Sequence, residues 1–184
     1  TALATQFKAT ALVFEQLKLD QQQTLDQALD GVSGDATAFI QFSSGSTGSP
    51  KGVVLSHRNL LNNIAAIGVG MQCSEQDKTL SWLPLTHDMG LIGFHLTPLV
   101  HGWDQVLIDT SDFVRNPASW FEALSQTRAT ITASPTFGLK HVIKHFDVSQ
   151  HQALDLSAVR LIFNGAESIS SQVCGEFSRC LAPL

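Results

Sequence analysis

No apolar run in this 184-residue chain is long enough to cross a bilayer, and no series of charged, apolar and small residues marks a signal peptide. A cytoplasmic setting is the expectation. Cysteine is scarce: Cys73, Cys174 and Cys180 make neither a C-x-x-C pair nor a disulfide framework, and are read as buried thiols. Positive charge is also in deficit, with 11 Lys and Arg against 16 Asp and Glu, and the formal net charge of −5 gives no support to a nucleic-acid-binding surface. Any recognition of phosphate must therefore be local. Low-complexity tracts are absent too, and 43% hydrophobic residues allow one folded domain with a sizeable core.

Short apolar runs alternate with helical patterns. Runs rich in Val, Ile, Leu, Phe or Thr at 37–43, 52–55, 79–83, 104–108, 129–134 and 159–163 read as strands. Ser56 is placed to cap a helix whose Leu60, Ile64, Ile67 and Met71 share one face. Asn116-Pro117 and Ser134-Pro135 each read as a cap followed by proline at the first helical position, and a last helix near 170–181 aligns Val173, Cys174, Phe177 and Leu181. This alternation predicts an α/β fold with a largely parallel sheet and flanking helices. Residues 1–35 are more polar, Gln-rich at Gln21–Gln23, and read as a lead-in segment before the main unit 36–184.

The most informative stretch is Phe42-Ser-Ser-Gly-Ser-Thr-Gly-Ser-Pro-Lys51-Gly52, in which five of the seven residues from Ser43 to Ser49 carry hydroxyls and the other two are glycines. Glycines let the backbone turn N–H groups toward an anion, hydroxyls add donors, and Lys51 supplies a positive charge. The nucleoside-triphosphatase pattern G-x-x-x-x-G-K-[ST] does not fit, because Gly45 and Gly48 have the wrong spacing and the stretch joins two strand-like runs instead of opening a helix. A hairpin-like phosphate loop is the better picture; an ordinary Gly/Ser hairpin or linker is the plainer alternative.

The run from Phe39 to Asn59 resembles the signature phosphate loop of the adenylate-forming enzymes: acyl- and aryl-CoA synthetases, luciferases, peptide-synthetase adenylation domains and fatty acyl-AMP ligases. Two further segments agree in order. Ser81-Trp-Leu-Pro-Leu-Thr-His-Asp-Met-Gly-Leu-Ile-Gly93 resembles the acyl-pocket segment of the fatty acyl-AMP ligase branch, and Phe163-Asn-Gly-Ala-Glu167 resembles the adenine-binding turn. The resemblance covers the chain from about Ala36 onward and implies the central part of an AMP-binding domain, truncated at both ends. Family members continue with a Tyr-Gly-x-Thr-Glu stretch whose Glu helps hold magnesium, a ribose-binding segment and a small domain with a catalytic lysine, none of which stands in this sequence.

The resemblance implies attack by a carboxylate on the α-phosphorus of ATP, giving acyl-AMP and pyrophosphate. Ser44, Gly45, Ser46, Thr47, Gly48 and Lys51 would then hold the β- and γ-phosphates, with Lys51 neutralising charge on the leaving group. Asn164, Gly165, Ala166 and Glu167 would hold adenine, backbone and Asn164 counting for more than any acid–base role of Glu167. His87 is expected beside the acyl substrate and phosphate. The implied cofactors and partners are ATP, Mg2+ with its ligand outside this stretch, a carboxylic or fatty acid, and an acyl carrier protein or CoA as acceptor. The fragment alone is expected to be inactive, and a noncatalytic nucleotide-binding module is the reading from another class.

Plainer readings compete at several positions. His87 and Asp88 are adjacent, and adjacent residues on a helix do not face each other; Thr86 reads as the cap, with Asp88 favourable in the first turn. Met89, Leu91, Ile92 and Phe94 line a pocket or fill the core, core filling being the default. His141 and His145 have metal-ligand spacing but lack a third ligand, and read as a solvated helix face, so no metal site is expected in the chain.

Overall fold

The computed structural model describes residues 31–43 and 51–184. Most of the expected lead-in and the loop residues Ser44, Gly45, Ser46, Thr47 and Gly48 lie outside the described residues. Thr37–Leu184 form one compact unit.

That unit opens with an antiparallel hairpin of β1 (Thr37–Ser43) and β2 (Lys51–Ser56), in register from Phe39 opposite Leu55 to Ser43 opposite Lys51, with a shift between Thr37 and Phe39. One face of the hairpin is apolar and packed, with Phe39 and Leu55 against Leu60 and Ile64 of the next helix and Ile92 beyond it. The opposite face leaves Ile40, Phe42 and Val54 exposed. Helix α1 (His57–Gly70) starts on a capping box: the Ser56 hydroxyl accepts the Asn59 N–H at 3.2 Å, and the Asn59 side chain accepts the Ser56 N–H at 3.1 Å.

The main sheet holds β3 (Lys78–Ser81), β4 (Asp104–Leu107), β5 (Ile131–Ser134) and β6 (Leu161–Asn164), all parallel, in the order β4-β3-β5-β6. Between β3 and β4 run a π-helix (Met89–Leu96) and α2 (Thr97–His101). Helices α3 (Thr110–Arg115) and α4 (Ala118–Thr127) follow β4, α5 (Thr136–His145) follows β5, and α6 (Ser171–Leu181) follows β6. All four β5 residues are buried, as a central strand covered on both faces requires. Trp82, Phe113, Trp120, Phe121, Leu124 and Val142 fill the core, with Trp82 stacked on Phe113 at 3.8 Å and the Trp120 indole N–H donating to Thr132 at 2.9 Å.

The α/β class and the order of strands and helices match the expectation, with shifts at the ends. β3 stops at Ser81, β5 starts at Ile131 and β6 runs to Asn164. Neither Asn-Pro nor Ser-Pro places proline at the first helical position. Pro117 itself is the cap residue of α4, with Asn116 Oδ1 accepting the Ala118 N–H at 3.2 Å; Pro135 is the extended residue before α5, and the Ser134 hydroxyl donates to the Pro135 carbonyl instead of capping.

At the N-terminal edge of the sheet, Asp77 is 5% exposed and grips Arg160 through two bonds of 2.8 Å. The Thr130 hydroxyl at 2.7 Å and the Ser74 N–H at 2.8 Å complete its shell. The Arg160 guanidinium foremost, with Thr130 and Ser74, holds the Asp77 carboxyl well below the usual carboxylate range, against the opposing pull of burial. A depressed pKa contributes stability that is present above the unfolded value, about 3.9, and lost as pH falls below it. Asp77→Asn is therefore expected to cost about 2 kcal/mol at neutral pH. Urea unfolding should show that gap narrowing once pH drops under about 4; a gap that stays constant with pH would assign Asp77 no ionic role.

Candidate functional site

In a parallel α/β sheet, ligands bind outside the carboxyl ends of the strands. Here those ends carry the segment after β3 (Trp82–Asp88), Thr110 after β4, Pro135 and Phe137 after β5, and Asn164–Glu167 at and after β6. Three cavities meet at this edge. The first, about 520 Å³, lies between α1, the π-helix and the end of β6, with Ile67, Met71, Met89, Ile92, Phe94 and Phe163 among its walls. The second, about 280 Å³, is bounded by Trp82, His87, Thr110, Phe137, Ala166 and Glu167. The third, about 560 Å³, lies between the hairpin residues Gln41, Phe42, Val53 and Leu55 and the Thr86-His87-Asp88 segment.

Residues 87–89 are the partition. His87 borders the second and third cavities, Asp88 the first and third, and Met89 the first and second. The local structure differs from the expected one, because Asp88, not Thr86, caps the helix, its carboxylate accepting the Met89 N–H at 2.8 Å. His87 thus stands directly before the helix, and its side-chain Nδ1 lies 2.8 Å from Asp88 Oδ1. The two neighbours do face each other. His87 Nδ1 also accepts the Met89 N–H at 3.2 Å, so both close contacts of the ring fall on Nδ1 and Nε2 is its other position for a ligand. Met89, Ile92 and Phe94 wall a cavity as well as packing inward, so the default of core filling is half the answer; Leu91 is not among the lining residues.

The turn after β6 is also built differently from its sequence pattern. The left-handed backbone falls on Ala166, with φ 68°, and not on Gly165. A non-glycine residue held there stores about 1–2 kcal/mol of strain, and such strain concentrates at functional sites. Asn164 is already engaged: its amide donates to the Ser134 carbonyl at 2.9 Å and its Oδ1 accepts from Thr136 at 3.2 Å, tying the ends of β5 and β6 to α5. What Asn164, Gly165 and Ala166 present to the first cavity is chiefly wall and backbone. Glu167 Oε1 accepts the Phe137 N–H at 2.7 Å, so a carboxylate from a distant loop supplies the N-terminal bond of α5 that Ser134 does not.

Of the sequence candidates, the structure brings His87, Asn164, Gly165, Ala166 and Glu167 to one edge. Lys51 lies exposed at the start of β2 opposite Ser43, at the base of the loop, and lines none of the three cavities. Sequence reasoning missed the α1 wall, where Asn63, Ile67, Gly70 and Met71 recur at i, i+4, i+7 and i+8. The sequence had put Ile67 and Met71 on one face of the helix but not at a cavity; at Gly70, and at Gly93 of the π-helix, an added Cβ meets nothing within 4 Å. His141 directs a ring nitrogen to the Val114 carbonyl at 3.0 Å, a structural bond on the helix face. Among the described residues no group of three His, Cys, Asp or Glu side chains stands together.

The family model for AMP-binding enzymes matches residues 3–184. The chain belongs to the AMP-binding enzyme family. It is 33% identical over 177 residues to a medium-chain-fatty-acid–[acyl-carrier-protein] ligase of Teredinibacter turnerae, covering 94% of this chain and 28% of that protein. It is 34% identical over 151 residues to a 4-hydroxyphenylalkanoate adenylyltransferase of Mycobacterium tuberculosis, covering 80% of this chain and 24% of the relative. A fatty acyl-adenylate ligase from L. pneumophila, solved with acyl adenylate and pyrophosphate, superposes with a TM-score of 0.86 at 34% identity over 95% of this chain and 31% of its own. The chain thus spans less than a third of the length of these proteins. The expected α/β fold is the fold of this family, and no helix among the described residues is long and apolar enough to cross a membrane.

Proposed function

We propose that this chain is the central part, residues 36–184, of an adenylation domain that activates a fatty or otherwise apolar carboxylic acid. In the reaction, a carboxylate oxygen bonds to the α-phosphorus of ATP, the bond from that phosphorus to the bridging oxygen breaks, and pyrophosphate leaves. The carrying observation is the meeting of three cavities at His87–Met89, one of them apolar and large enough for an alkyl chain. The acid's tail occupies the cavity along α1 and its carboxylate reaches His87. Adenine stacks by the Asn164–Glu167 turn, where backbone N–H and C=O groups read its edge. The triphosphate passes toward the third cavity and the hairpin, where Ser44, Gly45, Ser46, Thr47, Gly48 and Lys51 stabilise charge that grows on the leaving group.

Magnesium would be held by residues outside this stretch, and no step is routed through it. For the acyl acceptor, a carrier-protein thiol is favoured over CoA by the wording Trp82-Leu-Pro-Leu-Thr-His-Asp-Met-Gly90 and by the acyl-carrier-protein ligase of T. turnerae among the relatives. The test is direct: give the longer protein carrying this chain ATP, a medium-chain acid and either acceptor, and quantify acyl-AMP and both thioesters. Faster carrier acylation supports the reading. Comparable or faster acyl-CoA formation favours a CoA ligase, and nucleotide binding without acyl-AMP would leave a noncatalytic module. Residues 1–184 alone are expected to make no acyl-AMP.

A further inference from the structure

The apolar cavity has two unlike ends. Asp88 and Asn164 stand at the carboxyl edge of the sheet, whereas Met71, 7% exposed at the end of α1, stands by the opposite edge. From Asn164 back to Arg160 the chain runs four residues, about 13 Å of strand. We propose that Met71 is the stop that limits the length of acyl chain accepted, and that the Asp77–Arg160 pair is the positioning device that holds it. This rests on the acyl reading of the cavity given above.

Gln72, directly after Met71, has φ 49°, a left-handed conformation that a glutamine adopts at a cost. Arg160 holds this turn in place by donating to the Met71 carbonyl at 3.2 Å and to the Gln72 carbonyl at 3.2 Å. These are carbonyls at a helix C-terminus, where a cation is favourable. Arg160 is itself fixed in a two-bonded fork by Asp77, a more rigid arrangement than a lysine would make. Asp77 in turn is held by Thr130, and the three residues lie just before β6, β3 and β5. The end of α1 is therefore tied to the N-terminal edge of three parallel strands. Chemistry and chain length are set at opposite edges of one sheet.

Acyl-AMP formation by the longer protein, measured over straight-chain acids from butyrate to palmitate, tests the assignment. Met71→Ala is expected to raise kcat/KM about tenfold for acids one or two methylenes beyond the wild-type optimum. Met71→Trp should move the optimum to shorter acids. Arg160→Lys keeps the charge but loses the fork, and is expected to broaden the profile toward longer acids through KM while kcat for the shortest acids holds. Should Arg160→Lys not fold, Thr130→Val, which removes one bond from Asp77, takes its place with the same expected broadening. A lowered Tm with an unmoved length profile would overturn the positioning role, and an unmoved profile in Met71→Ala would overturn the stop. A wild type that adenylates no acid in the series would instead overturn the proposed function, and this inference would fall with it.

Discussion

Gly90→Ala is expected to destabilise the protein by about 3 kcal/mol, whereas Gly93→Leu, three residues later on the same π-helix, should leave folding intact and abolish use of long acids. A Cβ at Gly90 would sit 2.5 Å from the Pro84 carbonyl oxygen and 3.0 Å from that of Leu83, both backbone atoms that cannot rotate away. Such a contact must be relieved by moving the Leu83–Asp88 segment, and with it the partition between the three cavities. At Gly93 a Cβ meets nothing within 4 Å, and the position lines the apolar cavity. Leucine there gains helix propensity, about 0.8–1 kcal/mol over glycine, while its side chain fills the space assigned to the acyl tail. Thermal unfolding and an acid-length profile read both. Equal stability losses in the two variants would mean that the cavity is not open at Gly93, and unchanged turnover of long acids by Gly93→Leu would place the acyl chain elsewhere.

In the longer protein, Lys51→Ala is expected to lower kcat about 10²- to 10³-fold with little change in KM for ATP. Lys51 stands at the base of the hydroxyl-rich loop, on β2 opposite Ser43. On the proposed function, a charge placed there would act on negative charge that develops as pyrophosphate leaves, so its loss would be felt in the transition state more than in the bound substrate. Steady-state kinetics in ATP separates the two. A raised KM with kcat intact would make Lys51 a contact of ground-state binding only; no change in either would make it a surface residue.

Local signals were the most legible part of the fold. The Ser56 cap is present where the sequence puts it, and the last helix falls where its apolar face predicts, because such signals lie between neighbours in the chain. Strand positions were legible for the same reason, since runs of branched and aromatic residues announce a buried strand wherever it pairs. The Ser134 cap was not legible as a failure because its replacement is distant: α5 takes its N-terminal bond from Glu167, thirty residues on, and no pattern around Ser134-Pro135 shows that. The contact of His87 with Asp88 was not legible, because Asp88 and not Thr86 caps the helix and His87 stands before it.

By itself, the amino-acid sequence determined the α/β class, the order of the elements and the membership of an AMP-binding family, because each rests on composition or on residues close in the chain. Only the tertiary structure decided that α1 walls a cavity with Asn63, Ile67, Gly70 and Met71 instead of merely packing, and that Asn164 and Glu167 are held by β5 and α5. It alone joined Asp77, Thr130 and Arg160 into a clamp on the end of α1. Cavities and buried ion pairs are made where segments far apart in sequence meet. Their energies depend on distances and on exclusion of water, which a linear pattern does not encode.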